Sequence, residues 1–351
     1  MSVRQIIQSF DAWRAAGTPL VLATVYETVG STYTKPGHRI LIAADGDYRG
    51  LVSGGCLEGD LSERARAVLA ADGPAPVTYD LRGAADEIFG LGIGCNGLLR
   101  VFLQPLRPER DYEPFASIRA VLVGRERAAL ATVIESANAE LPAGATVLCS
   151  AGATRAFGVD TAAAVRLERR ARRTLATGTA ELGTEGGAMV LFAPLKPIPR
   201  LLVLGAGLDA VPLVAMTAEL GWFVTVADHR PAYLARGGFA RAERATLVEP
   251  GALAQTLDLA AFDAIIVMSH HLSTDRKYLA ELASIDARYL GVLGPRARRS
   301  RLLKDLGVDA RDLDARLRGP VGIDIGADSP ESIALSILAD LQSTLSGVKR
   351  Q

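Results

Sequence analysis

The chain lacks what would tie it to a charged polymer, an oxidising compartment or a bilayer. Its 39 Lys and Arg residues are matched by 39 Asp and Glu residues, so no net field draws it to nucleic acid or anionic lipid. No apolar run approaches the roughly 20 residues that cross a bilayer. The opening MSVRQIIQSFDAW also lacks the unbroken hydrophobic stretch of a signal peptide. A cytoplasmic protein without membrane or nucleic-acid partners is expected. Three cysteines, Cys56, Cys95 and Cys149, are too few and too odd in number for a disulfide framework. No CxxC or His/Cys spacing suggests structural zinc. Aromatics are scarce at 5%, whereas glycine reaches 35 residues, so function is sought in glycine loops.

What is present suits a folded protein of about two domains: 351 residues, 49% hydrophobic and 22% charged. Val3, Ile6, Ile7, Phe10 and Trp13 recur at helical spacing, and LVLATVYE at 20–27 reads as a strand. Two short strands flank Asp45-Gly46, a helix runs from Leu57 to Ala70, and VTYDL and LLRVFLQPL supply further strands. ALATVIES echoes LATVYETV; a shared strand pattern alone accounts for such an echo, and an internal duplication is not the expected reading. The arginines of 161–173 read as a solvated helix face. From LLVLG onward strands and helices alternate, which predicts parallel strands with crossover helices. The last helix has Ser329 as its cap, Pro330 in its first turn and Glu331 against its dipole. The expected fold is α/β: an N-terminal mixed α/β domain at 1–105, an intermediate α/β segment and linker at 106–198, and a C-terminal Rossmann-type parallel-sheet domain at 199–351.

Gly205, Gly207 and Ala210 fit GxGxxA directly after a strand, and Asp228 closes the next strand. Glycines there allow a tight turn and let a pyrophosphate reach helix amides, while the acid accepts from a ribose. The fold can also be inherited without the nucleotide. Arg230 leaves NAD versus NADP open. SHHLSTD brings His270, His271 and Asp275 to the carboxyl edge of the sheet, as acid, base or metal ligand, or simply as loop and helix caps. Gly294, Arg296, Arg298 and Arg299 fall at the same predicted edge, with Asp324 and Gly326, and together could hold an anion.

The first lobe offers thiols. Cys56 follows Gly54-Gly55 at a predicted helix start, and Cys95 follows Gly94 within GIGCNG. Glycines leave a thiol accessible, and a helix amino end favours the thiolate. Free cysteine is also among the most buried residue types, which suits Cys149 in TVLCSAG.

These segments resemble the xanthine dehydrogenase accessory factor (XdhC/CoxI) family over nearly the whole chain: GSTYTKPGHR, GLVSGGCLEGDL, YDLRG, GLGIGCNG, LLVLGAG, VMSHHLSTD, YLGVLGPRARR and GPVGIDIGADSPESIALSILADL. The resemblance implies a cofactor-handling domain followed by a Rossmann domain, in a cytoplasmic and often dimeric protein. Family members bind molybdenum cofactor (molybdopterin), protect it while a cysteine desulfurase supplies the terminal sulfido ligand, and help insert it into a molybdenum hydroxylase client. Carried over, the family's cysteines fall on Cys56 and Cys95, near the metal. Its glycine fingerprint falls on Gly205 and Gly207, and its histidine segment on His270 or His271 with Asp275. The chain departs from the family's GAGH by reading Gly207-Leu208-Asp209. The leading expectation is a maturation chaperone without turnover of its own. The alternatives are an NAD(P)-dependent oxidoreductase using Asp228 and a histidine of the 270 pair, and an adaptor that docks a desulfurase to a hydroxylase.

Overall fold

A computed structural model describes residues 2–82, 97–307 and 310–347. They form two compact units, Met1–Pro197 and Ile198–Gln351.

In the first unit, α1 (Val3–Ala15) precedes β1 (Leu20–Gly30), β2 (Arg39–Ala43), β3 (Tyr48–Arg49), α2 (Glu58–Ala71), β4 (Ala75–Asp80) and β5 (Gly97–Leu106). The order then repeats. Helix α3 (Phe115–Val123) precedes β6 (Ala128–Glu135), β7 (Thr146–Ser150), β8 (Thr154–Phe157), α4 (Thr161–Thr177), β9 (Glu181–Glu185) and β10 (Ala188–Leu195). The sheets are ordered β3-β2-β1-β5-β4 and β8-β7-β6-β10-β9, with every pairing antiparallel.

Register makes the correspondence closer still. Leu22 faces Leu41 as Leu130 faces Leu148. A bulge leaves Tyr26 unpaired between Val25 and Glu27, and another leaves Ile134 unpaired between Val133 and Glu135. Gly37 (φ 91°) and Gly144 (φ 87°) donate their amides to Val25 and Val133, each at 2.8 Å. LATVYE and LATVIE are thus equivalent central strands, and their echo marks a repeated β-β-β-α-β-β unit. RVFLQPL on β5 and MVLFAPL on β10 share the same relation.

The central strands β1 and β6 are buried on both faces along most of their length because each sheet is covered twice. Val25, Ile42, Leu61 and Val68 pack the first sheet against α2, and Val133, Val147, Leu167 and Ala171 pack the second against α4. Between the sheets, the two bulged residues Tyr26 and Ile134 meet with Phe102 and Leu191. Phe10 of α1 and Phe115 of α3 meet edge to face, with ring centroids 4.9 Å apart, in a cluster that draws on both repeats.

The second unit is the Rossmann-type domain. Its strands β11 (Arg200–Leu204), β12 (Phe223–Asp228), β13 (Arg244–Leu247), β14 (Ala264–Val267), β15 (Tyr289–Val292) and β16 (Leu317–Arg318) lie in the order β13-β12-β11-β14-β15-β16, all parallel. Helices α5 (Ala210–Glu219), α6 (Pro231–Ala235), α7 (Leu253–Thr256), α8 (Leu272–Leu282), α9 (Arg296–Leu306), α10 (Ala310–Arg316) and α11 (Pro330–Ser346) complete it. Leu213 and Val214 of α5 pack with Ile337 and Leu341 of α11 on one core; Leu279 and Leu282 of α8 pack with Leu302 of α9 on the other. The strand order reverses between β11 and β14, so the loops after them flank the crevice where such folds take ligands. Among the described residues no helix is long and apolar enough to cross a membrane.

Candidate functional site

The two repeats of the first unit differ in two of their connections. Residues 158–160 take the second repeat from β8 into α4, and Asp160 simply caps that helix by accepting from the Ala163 amide at 2.8 Å. Its β9 and β10 are joined by Gly186-Gly187 alone, with φ of 58° and 81°, the left-handed pair that a tight hairpin demands. In the first repeat these connections are the longer segments 50–57 and 81–96. They carry both glycine-flanked thiols.

Cys56 is exposed. It lines a mostly apolar recess with Ser31, Thr32, Tyr33, Leu81 and Gly97, and Leu57, its neighbour, is the N-cap of α2. Gly54 and Gly55, at φ 82° and 116°, take backbone conformations that a side chain would strain. The loop closes on Glu58, which is 1% exposed. Its Oε1 accepts from the amides of Val52 (2.7 Å) and Ser53 (3.0 Å), and its Oε2 from the Ser53 hydroxyl (2.7 Å) and the Gly55 amide (3.0 Å). Burial opposes that charge, but the hydroxyl and amide of Ser53 and the amide of Val52 outweigh it and hold the carboxyl below the usual glutamate range. Gly94 and Cys95 lie outside the described residues; Gly97, two positions after Cys95, is at the recess. Cys149 is fully buried among Val147, Leu167 and Ala171, where burial pushes its thiol up.

In the Rossmann unit Gly205, Gly207, Asp228, His270, His271, Asp275 and Arg296 all fall at the carboxyl edge of the sheet or at the helix starts that follow it. Gly205, at φ 133°, passes so close to β14 that an added Cβ would lie 2.4 Å from the Met268 carbonyl oxygen. Asp228 is 0% exposed. Its Oδ1 accepts from the Arg230 amide and Nε (2.9 Å each), and its Oδ2 from the Ala206 amide (2.6 Å) and Arg230 Nη2 (2.8 Å). The Arg230 guanidinium lies 3.5 Å over the Tyr233 ring and reaches the Ser269 carbonyl at 3.3 Å. The acid that would read a ribose is therefore saturated from within.

The two histidines part company. His271 Nδ1 bonds the hydroxyls of Ser273 (3.0 Å) and Thr274 (3.1 Å) in the first turn of α8, while its side chain caps no helix amide. His270, at φ 62°, points its Nε2 to Asp209 Oδ2 at 2.7 Å and spans from the β14 loop to the glycine loop. Asp275 is 0% exposed and joins Ser269 to Arg298 Nη2 (2.6 Å). Arg296 opens α9 exposed. Among the described residues no group of three or more His, Cys, Asp or Glu side chains could hold a metal ion.

Comparison with known proteins agrees with both units. Residues 13–80 match the XdhC and CoxI family and residues 201–341 match the XdhC Rossmann domain. Over 326 residues the chain is 31% identical to a probable xanthine dehydrogenase subunit of Bacillus subtilis (strain 168), with 92% of each protein covered. The chain belongs to the XdhC and CoxI family. It is also 25% identical over 331 residues to the molybdenum cofactor insertion chaperone PaoD of Escherichia coli (strain K12), across 93% of this chain and 84% of that one. The crystal structure of a xanthine dehydrogenase from Bacillus halodurans superposes with a TM-score of 0.81 at 27% identity, covering 100% of this chain and 97% of that chain.

For an XdhC and CoxI family chain, the sequence pointed to the thiol and passed over its support. Glu58 was visible as an acid two residues beyond Cys56, but such an acid reads as an ordinary first-turn helix residue. Only the fold reveals that it turns back into the loop.

Proposed function

We propose that the protein is an accessory chaperone that binds molybdenum cofactor, shelters it while a cysteine desulfurase supplies the terminal sulfido ligand, and delivers it to a xanthine dehydrogenase-like hydroxylase. One observation carries the reading: the first repeat holds Cys56 exposed on a glycine loop that the otherwise matching second repeat lacks. Soft metals select thiolates, and a cofactor that brings its own dithiolene ligands needs one or two contacts from the protein rather than a full cage. Cys56 is the accessible thiol of the described residues, and Cys95 is its proposed companion. Similarity to an insertion chaperone over most of both chains supports the same role. The protein works in the cytoplasm as a homodimer, binding and handing over rather than turning over a substrate.

The oxidoreductase alternative requires Asp228 to accept a ribose, and Arg230 with the Ala206 amide already fills its acceptor positions. Nicotinamide nucleotides titrated to millimolar concentration are expected to show no saturable binding. The cargo itself is tested by producing the protein alongside cofactor synthesis and measuring co-purifying molybdenum and pterin. Wild type should retain both near stoichiometrically, and Cys56→Ala/Cys95→Ala should lose most of each; equal retention removes the thiol role.

A further inference from the structure

Successive backbone amides curling round an anion form the kind of nest that proteins offer to phosphate. The Cys56 loop is such a nest, and its anion is covalently part of the chain. The amides of Val52, Ser53 and Gly55 all point to the Glu58 carboxylate, while the Leu57 amide goes to the Ser53 hydroxyl oxygen at 2.8 Å. An incoming phosphate cannot take this nest without expelling an ionised side chain. What remains for a ligand is the exposed thiol, in a recess it lines together with Tyr33, which is 67% exposed. The second repeat provides the contrast: its Asp160 caps α4 and leaves no curled loop ahead of the helix.

We infer that Glu58 is the positioning residue of the site: by filling the nest it fixes the loop in the one shape that presents Cys56 to the recess, before any cargo arrives. This rests on the reading of Cys56 as a cargo contact. Glu58 touches no cargo; it acts through the loop. A glutamine in its place keeps the size but removes the charge and puts an NH2 where one oxygen was, facing either the amides of Val52 and Ser53 or the Gly55 amide and the Ser53 hydroxyl.

The test uses the full-length protein. Glu58→Gln should raise hydrogen exchange at residues 52–57 about tenfold while the rest of the unit stays protected. Loss of these charge-assisted bonds should lower molybdenum retention by about tenfold, and Glu58→Asp, which keeps the charge, should recover part of it. In a Cys56→Ala background, Glu58→Gln should cause no further loss, because both act on one contact. Unchanged exchange in Glu58→Gln overturns the proposal irrespective of cargo. Faster exchange with wild-type retention also overturns it, as does an additive loss in the Cys56→Ala background. If Cys56→Ala/Cys95→Ala retains cargo like wild type, the functional reading fails instead, and the exchange result still reports what builds the loop.

Discussion

A buried carboxylate is tolerated only when its lone pairs are filled, and Asp228 fills its own with a single neighbouring side chain and two amides. Burial works against its charge, but the Arg230 guanidinium and the amides of Ala206 and Arg230 prevail and hold the carboxyl below the usual range. The consequence for stability has a definite sign. With the folded value below the unfolded one, near 3.9, the folded state binds fewer protons between the two. Asp228 therefore contributes fully above about pH 5 and loses that contribution as pH falls through the folded value. Arg230→Met strands the carboxylate, which should cost about 3–5 kcal/mol at pH 7, and because burial then raises the Asp228 carboxyl, the variant's deficit should shrink as pH falls and the carboxyl takes up a proton. Urea unfolding of both proteins from pH 3 to 7 checks this; parallel curves at every pH would contradict it. The sequence located Asp228 at the end of its strand. It could not show the saturation, because Arg230 two residues on reads equally well as a phosphate ligand, and only the backbone turn after β12 decides.

At the scale of elements, the readable signals were those written locally. Ser329, Pro330 and Glu331 announced the start of α11, and the Ser329 hydroxyl does accept from the Ser332 amide at 3.2 Å while the Ser332 hydroxyl accepts from the Ser329 amide at 2.9 Å. Ser329→Ala should lower the stability of the Rossmann unit by about 1 kcal/mol, read as a shift in the urea midpoint with unchanged slope; a shift in slope would mean a changed unfolded ensemble instead. The repeat in the first unit was nearly illegible for the opposite reason. Its constraints are strand order, a shared bulge at Tyr26 and Ile134, and burial on both sheet faces, none of which fixes residue identity beyond LATV and a closing Glu. Longer connections at 50–57 and 81–96 also shift the later strands out of a constant spacing. The proposed site falls in those connections, as scaffolds with positioned loops allow.

For the molecule as a whole, the cores decide which pieces can stand alone. The second unit has two clusters drawn only from its own residues, so a fragment of residues 198–351 should unfold in one cooperative transition. The first unit cannot be divided further, although its two sheets look like separate small domains. Leu20, Leu22 and Leu41 of the first repeat share one cluster with Leu130, Leu148 and Leu195 of the second, and Tyr26 and Phe102 share another with Ile134 and Leu191. Cutting after β5 would expose these side chains on both pieces, at roughly 1.5–3 kcal/mol for each large apolar group left in water, more than a domain's usual margin of about 5–15 kcal/mol once a handful are counted. Residues 1–197 should therefore fold cooperatively, and residues 1–107 expressed alone should give no cooperative unfolding transition and should bind a hydrophobic dye. A sharp transition for the shorter fragment would mean that each repeat carries its own core, and that the inter-sheet clusters contribute little to holding the first unit together.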